Sequence, residues 1–534
     1  MREPHGGPIP EAHTPASSGS GRWLRAARHP LLWVCAAHVL VAALVFDPKP
    51  FTGGDNFWYM LLGESLRTGQ GYRDLWLPGT PLHTHYPPVY PLLLAALGWV
   101  TDSVVGWKML SLAGTTGAVA FTFLLARMRL DDERLAAGAA LLLAVTPAIV
   151  EYAHWVLSEA TFVFFVTAAL YASVRAPEGR DLRWFVVACV AAVAAYLTRS
   201  AGSPLLVALV AALAVRRRWS RAAWLGGLSA FTVLAWSWYV RWASTAAGAT
   251  TTTYAQEFFY RDPYRPELGT VTVGDLVARA VFNVKAYLLS AWPQAVGGRD
   301  LAPALAGAIG LVLGGVVLAG ALRRARRLEA PEWFFFLYVA LLLVWPQAWS
   351  DQRLLLPLLP LAALYLVEAV AWALPHDRRA GRFRVIELAV GGVVVFALFA
   401  NLRLLGPQLS CTRRALAGDT FACAPAPFVD FVQAADWIRA NTEPDAVVIN
   451  RKPQILYWYG RRRGDVYPYT ADRDSILQTL EARRARYVVV DNLSATTWRY
   501  LVPAIRTVPS RFRVRHTVGS PPTYVLEYLG ASPP

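Results

Sequence analysis

Charge is scarce along this chain, and negative charge is scarcer. Asp, Glu, Lys and Arg make up 16% of 534 residues, with 36 acidic against 52 basic side chains. A soluble globule carries about a quarter of its residues as charges, so this chain, at 55% hydrophobic, is excluded from that class. Cysteine is nearly absent, at four residues, which excludes a disulfide-dense secreted scaffold. No small-residue cleavage site follows the first apolar run, so that run does not read as a removable signal. The two halves show no repeated hydropathy pattern of the kind many secondary transporters carry.

What remains is a polytopic membrane pattern, with mean hydropathy +0.34 and 21 tryptophans. Apolar runs of the roughly 17 to 25 residues that cross about 30 Å of hydrocarbon centre on 31–46, 105–125, 135–150, 160–174, 184–197, 204–215, 223–240, 301–322, 333–345, 354–374 and 385–402. They predict an α-helical membrane protein of about eleven transmembrane helices. Residues 1–30 read as a disordered cytoplasmic tail. Residues 31–405 form the membrane domain, with external loops 47–104 and 243–300, and 406–534 form an external soluble α/β domain.

The net charge of +16 does not mark a nucleic-acid surface, because the arginines sit in short turns between alternate spans. Clusters at 22–28, 127–134, 175–183, 216–221, 323–327 and 378–384 predict the cytoplasmic side of a plasma (inner) membrane. The opposite, external side then receives the Asp55 loop, the turn 151–158, the hairpin at Arg199, the loop 243–300 and the turn before Arg353. It also receives Cys411 and Cys423, whose spacing and oxidising compartment predict a disulfide. Cys35 and Cys189 lie within spans and read as small apolar residues.

Candidate chemistry gathers on that side. Asp55 follows two glycines and precedes an amphipathic helical pattern beside Phe57, Trp58 and Tyr59. It is placed to act as a general base, or as a helix N-cap. Glu159 opens the fourth span and faces the same cavity, with Glu151 and His154 in the preceding turn as lesser candidates. Arg199 and Arg353 are guanidiniums placed to hold a lipid phosphate, with Lys285 as a weaker third cation. His83 and His85 flank a proline and aromatic cluster at 83–91 and, with Tyr86, are substrate-binding candidates, the two histidines as contacts to phosphate or metal. The two-residue spacing of His83 and His85, without carboxylate partners, is a poor metal signature, so no metal is expected there. Beyond 405 the pattern runs helix 428–440, strand 446–450, helix 474–484, strand 487–491 and a hairpin of 512–518 with 523–528. That order predicts a small mixed sheet with a lid or docking role rather than a catalytic one.

Several segments together carry a resemblance: GGDNFWYMLLGESLRTGQGY, HYPPVYPLLLA, TPAIVEYAHWVLSE, YLTRSAG and DQRLLLPLLPLAALYL. In this order they resemble the glycosyltransferase C (GT-C) superfamily, in its bacterial branch related to protein O-mannosyltransferases and the aminoarabinose transferase of lipid A. The resemblance implies a GT-C fold and an external cavity that binds a polyprenyl-phosphate sugar. It gives Asp55 the role of catalytic base, matches Glu159 to the second acidic position, and places Arg199 and Arg353 at the donor phosphate. His85 and Tyr86 stand before the paired prolines where the aminoarabinose transferase has a lysine, and Asn56 follows Asp55 where eukaryotic mannosyltransferases have a second acid. The implied activity is inverting transfer of a sugar from the lipid-linked donor to an envelope lipid, glycan or protein. No resident cofactor is implied, and a divalent-metal requirement is left open. The competing expectation is a transporter or flippase of lipid-linked sugars.

Overall fold

Each of the eleven apolar runs folds as helix. The computed structural model describes residues 29–130, 132–176, 181–246, 254–373 and 379–530. The expected N-terminal tail with Arg22, Arg25 and Arg28 lies outside the described residues, as does Arg378. The runs become Pro30–Leu44, Val104–Arg129, Glu133–Ala144, Ser158–Arg175, Leu182–Thr198, Ser203–Val215, Trp219–Ala246, Pro303–Ala325, Ala330–Leu343, Leu359–Ala373 and Arg379–Leu402. Among the described residues, four helices are long and apolar enough to cross a membrane: Val104–Arg129, Pro303–Ala325, Gln352–Ala373 and Val385–Leu416.

Some runs fall short of a full span because prolines interrupt them. The expected span 135–150 splits where Thr146, in extended backbone before Pro147, ends one helix and starts another over Pro147–Tyr152. The run 354–374 begins as a 3-10 segment, Gln352–Leu358, with Pro357 inside it, and turns α-helical only at Leu359. That early segment sets the direction in which Arg353 projects.

The two ends of the bundle differ in chemistry. At one end the arginine turns converge: Arg129 donates to Glu332 at 2.5 Å and to Glu329, Arg216 donates to Glu329 at 2.9 Å, and Arg324 pairs with Glu368 at 2.6 Å. These groups are largely buried, and pairing is what makes their burial tolerable. The other end collects the start of Ser158–Arg175, the end of Leu182–Thr198 and the 3-10 segment at Gln352–Leu358. Against that end lie two helices of the first loop, Asp55–Arg67 and Val89–Leu97.

The C-terminal region is α/β, as the alternating pattern indicates. Its five strands, β1 Val447–Ile449, β2 Gly464–Asp465, β3 Ala485–Val490, β4 Phe512–Val518 and β5 Thr523–Tyr528, form one sheet in the order β2-β1-β3-β5-β4. β1 runs parallel to β2 and β3, while β5 is antiparallel to β3 and β4. The two-residue β2 and the helix Pro453–Gly460 carry no periodicity long enough to announce them.

This region is packed onto the bundle rather than held apart from it. Phe57, fully buried on the first-loop helix, stacks against Phe428 at 6.3 Å and meets Trp458 and Tyr459 at 6.0 and 5.7 Å. The Gly464 N–H donates to the Trp76 carbonyl at 2.9 Å. Cys411, in helix Leu405–Leu416, is disulfide-bonded to Cys423, which pins the entry to the α/β region. Closing a loop of this size is worth about 3 kcal/mol. Alkylation of unfolded protein without reductant is therefore expected to tag Cys35 and Cys189 only, with all four thiols tagged after reduction; mass spectrometry reads the difference.

Candidate active site

The turn before Asp55 determines what its carboxylate is free to do. Gly54 takes a left-handed backbone, φ 97°, and is the N-cap of helix Asp55–Arg67. A Cβ there would press on Gln454 Nε2 at 3.0 Å and Lys452 Cδ at 3.2 Å, so glycine suits both the conformation and the close approach. Asp55 is therefore the first helical residue and not the cap. Its carboxylate is engaged elsewhere.

Arg353 supplies that partner. Its Nη1 and Nη2 both donate to Asp55 Oδ2 at 3.0 Å, while Nε donates to Glu159 Oε1 at 2.6 Å. The backbone is held for this by Asp351, whose carboxylate accepts from the Arg353 N–H at 2.7 Å. Arg199 approaches from the other side, with Nη1 donating to Glu159 Oε1 at 2.7 Å and to Ser158 Oγ at 2.9 Å. Tyr59 shares a hydrogen bond with the same Ser158 hydroxyl at 3.0 Å. The expected Asp55, Glu159, Arg199 and Arg353 thus form one continuous network.

Exposure within the network is graded. The side chain of Glu159 is 2% exposed, Arg199 14%, Arg353 22% and Asp55 24%. The cluster is sealed at Glu159 and open at the Asp55–Arg353 contact, where a substrate would enter. Glu159 Oε2 is buried without a hydrogen-bond partner. Burial works to raise the Asp55 carboxyl, but the Arg353 guanidinium, with Lys452 and Arg199 behind it, holds it below the ordinary carboxylate value.

Lys452 escaped the sequence reading. It sits just beyond β1, and its Nζ donates to the Gly53 carbonyl at 2.6 Å, two residues before Asp55. Burial, then the neighbouring Arg451, push its ammonium down to about 8 against the pull of Asp55 and Asp491. The available signal was a basic pair, Arg451–Lys452, directly after a buried strand, because ligand sites in α/β sheets gather at the C-terminal ends of parallel strands. Asp491 follows β3 at the same sheet edge.

The remaining candidates divide. His85 and Tyr86 form the wall beside the cluster: Tyr86 lies 4.7 Å from Tyr59, and His85 lies 5.5 Å from Trp58. Burial, then the neighbouring His83, drive the His85 imidazole down to about 3, so it is neutral at physiological pH. His83 does not face the cluster. Its Nδ1 donates to Asp74 at 2.6 Å and its Nε2 accepts the Tyr86 N–H at 2.8 Å, which makes it the buried peg of the 83–91 segment. Lys285 is exposed on helix Val273–Ala286 and takes no part in the network. His154 is buried against the Ala42 carbonyl, and Glu151 pairs with Arg299 at 2.9 Å. No grouping of three or more His, Cys, Asp or Glu side chains that could hold a metal ion occurs among the described residues.

Removing Glu159 would take away the carboxylate that the Arg199 and Arg353 guanidiniums share. Breaking one partner of a buried ion network costs about 3–5 kcal/mol. Glu159→Ala is expected to lower the thermal unfolding midpoint clearly in detergent, with Glu159→Gln intermediate. An unchanged midpoint for both would show that the network does not stabilise the fold.

Comparison with known proteins places the fold. Residues 85–239 match the family described as dolichyl-phosphate-mannose-protein mannosyltransferase, a stretch that includes His85, Glu159 and Arg199 but not Asp55 or Arg353. No curated protein matches in sequence. Among solved structures, ArnT from Cupriavidus metallidurans in the apo state aligns with TM-score 0.55 at 14% identity, over 96% of this chain and 98% of that one. The same protein bound to undecaprenyl phosphate aligns with TM-score 0.55 at 14% identity, over 97% and 100%. The Archaeoglobus fulgidus oligosaccharyltransferase tethered to an acceptor peptide aligns with TM-score 0.55 at 13% identity, over 94% of this chain and 74% of that one. The chain thus has the GT-C glycosyltransferase fold, and its likeness to the protein mannosyltransferase family runs through residues 85–239.

Proposed function

We propose that this protein is an inverting glycosyltransferase of the plasma (inner) membrane that moves a sugar from a polyprenyl-phosphate donor to an envelope lipid, glycan or protein. The reaction takes place on the outer face. The observation that carries this reading is the Arg353 fork, which places a candidate base and a phosphate-binding cation at the open edge of one buried network. The undecaprenyl phosphate bound to the structurally similar ArnT supports the donor class.

The chemistry is a single displacement. Asp55 takes the proton of the acceptor hydroxyl or amine as that atom bonds to the anomeric carbon. The bond from this carbon to the phosphate oxygen breaks, and polyprenyl phosphate leaves with the electron pair. Arg353 and Arg199 meet the charge that develops on the leaving phosphate. His85 and Tyr86 bound the sugar side of the cavity, and no step is assigned to a metal. A carboxylate paired with a guanidinium is ionised but weakly basic. When the donor phosphate draws the Nη groups of Arg353 away from Asp55, burial is opposed only by the weaker pull of Lys452 and Arg199, so the carboxyl gains basicity and donor binding arms the base.

A transporter of lipid-linked sugars would set its working charges midway along broken helices. Here Asp55, Ser158, Arg199 and Arg353 all stand at helix termini on one end of the bundle. That placement favours group transfer at an interface over passage through the membrane.

Two measurements test the proposal. Asp55→Asn in folded protein supplied with polyprenyl-phosphate sugars is expected to lower kcat by about 100- to 10,000-fold, the usual worth of a general base, with donor binding kept. Undiminished transfer would remove Asp55 from its role. The pH profile tests the exchange at Arg353. In the free enzyme the Asp55 value is depressed, so the carboxylate is lost only as pH falls below the ordinary range of about 3.9. With donor bound the value rises, so the acid limb of kcat is expected at higher pH than that of kcat/KM. Coincident limbs would exclude the exchange.

A further inference from the structure

The helix Val273–Ala286, in the long loop before the span Pro303–Ala325, is built inside out for an element that faces water. Its outward side carries Val273, Val277, Val281, Phe282 and Val284, each between 45% and 79% exposed. At 3.6 residues per turn these side chains and Lys285 fall on one half of the helix surface, where Lys285 is the one charge. A helix lying against a protein in water does the reverse, turning its apolar stripe inward and its polar residues to solvent.

The two residues that this helix buries, Arg279 and Asn283, are both polar and stand one turn apart. Arg279 Nη1 donates to the Phe258 carbonyl at 3.0 Å, and its Nη2 donates to the Tyr260 carbonyl. The Asn283 Nδ2 hydrogens are shared among the Leu342, Leu343 and Trp345 carbonyls at 2.9–3.0 Å, and Oδ1 accepts from the Ser350 hydroxyl at 2.8 Å. The polar side chains are thus spent on backbone groups inside the protein, and the outward side is left apolar.

What Asn283 caps gives the depth of the helix. Leu342 and Leu343 end the helix Ala330–Leu343, which starts beside Glu329 and Glu332 at the arginine end of the bundle. Its 14 residues rise about 21 Å, short of the roughly 30 Å of hydrocarbon. Its last carbonyls therefore stop at lipid depth, where water is scarce and a side chain has to satisfy them. Asn283 does so. The Val273–Ala286 helix then runs on through Tyr287–Ala291 and Trp292–Gly297 to the span Pro303–Ala325, whose outward Leu311 and Val312 continue the same exposed apolar surface.

We propose that Val273–Ala286 is an interfacial helix, embedded in the lipid leaflet at the Asp55 end with its valine face among the acyl chains and the Lys285 ammonium reaching up to the head groups. The partner of this face is the lipid surface, not a second protein. Asn283 ties the helix to the turn 345–350, and Asp351, next in the chain, accepts from the Arg353 N–H. The leaflet is in this way one of the supports of the Arg353 guanidinium. The placement holds whether or not the protein transfers a sugar.

The experiment uses full-length protein in phosphatidylcholine nanodiscs, with the free thiols removed by Cys35→Ala and Cys189→Ala and the Cys411–Cys423 disulfide kept. Nitroxide labels are attached through Val277→Cys or Val281→Cys. Power-saturation EPR compares their collisions with oxygen, which concentrates among acyl chains, and with a water-soluble nickel chelate. A label through Val312→Cys gives the lipid reference, and one through Gln478→Cys, exposed on the α/β region, gives the water reference. At 277 and 281 the oxygen-to-nickel collision ratio is expected to approach that at 312 and to exceed that at 478. A ratio at both positions equal to that at 478 would overturn the proposal. Shielding from both reagents would overturn it too, because protein would then cover the face. Asn283→Ala is expected to sharpen the spectrum of the label at 277, as the helix loosens, and to leave the label at 312 unchanged, which separates loss of the tie from general unfolding. An unchanged spectrum at 277 would remove Asn283 as the tie and, with it, the leaflet as a support of Arg353.

Discussion

The structure of the reactive end depends on one guanidinium shared between two carboxylates. Arg353 reaches Asp55, 298 residues earlier, with one edge of its fork and Glu159, 194 residues earlier, with the other. Stripping water from a lone carboxylate such as Glu159 costs far more than a protein's whole stability, so it is buried only with partners in place. Arg353 and Arg199 are those partners. Once they converge, the start of Ser158–Arg175, the end of Leu182–Thr198, the 3-10 segment and the first loop have a single mutual arrangement. The cavity's shape is a consequence of that charge pairing.

The α/β region supplies a second constraint on the same turn. Aromatic packing of Phe57 against Phe428, Trp458 and Tyr459 fixes the helix that carries Asp55 from behind. Lys452 then holds the Gly53 carbonyl from the side. Asp55 is thereby clamped between the membrane helices and the sheet, so a change in how the α/β region docks is felt at the carboxylate without touching it. The role of this region is positional as well as architectural, which is more than a detached lid would provide.

Much of this was legible in the sequence, for identifiable reasons. Long apolar runs declare helices because a membrane-length stretch has few other folds available. Alternating arginine turns separated the two ends of the bundle, and the structure gathers Arg129, Arg216 and Arg324 at the end away from Asp55. Asp55, Glu159, Arg199 and Arg353 stood out because ionisable groups beside apolar spans are expensive. Other features were hidden. The break at Pro147 and the 3-10 segment around Pro357 are local backbone effects inside runs that hydropathy reads as continuous. His83 was a candidate to touch the donor phosphate, but its two ring nitrogens are taken up by Asp74 and the Tyr86 N–H. Lys452 offered only the weak signal of a basic pair after a strand, because its meaning lies in a contact almost 400 residues away.

The geometry of Arg353 also bears on how it can serve both partners. Its Nε edge faces Glu159 and its Nη end faces Asp55, so the two contacts use different hydrogens of one rigid plane. In the proposed transfer only the Nη contact has to be given up to a phosphate, while the Nε contact keeps the guanidinium in place and ionised. Glu159, held also by Arg199, is then the permanent anchor and Asp55 the exchangeable partner. Two carboxylates with the same nominal chemistry are set apart by burial, the sealed one tethering the cation and the open one released to accept a proton. That division requires the donor to displace an existing ion pair, which weakens its ground-state affinity, and returns the difference as basicity at the moment the acceptor is attacked.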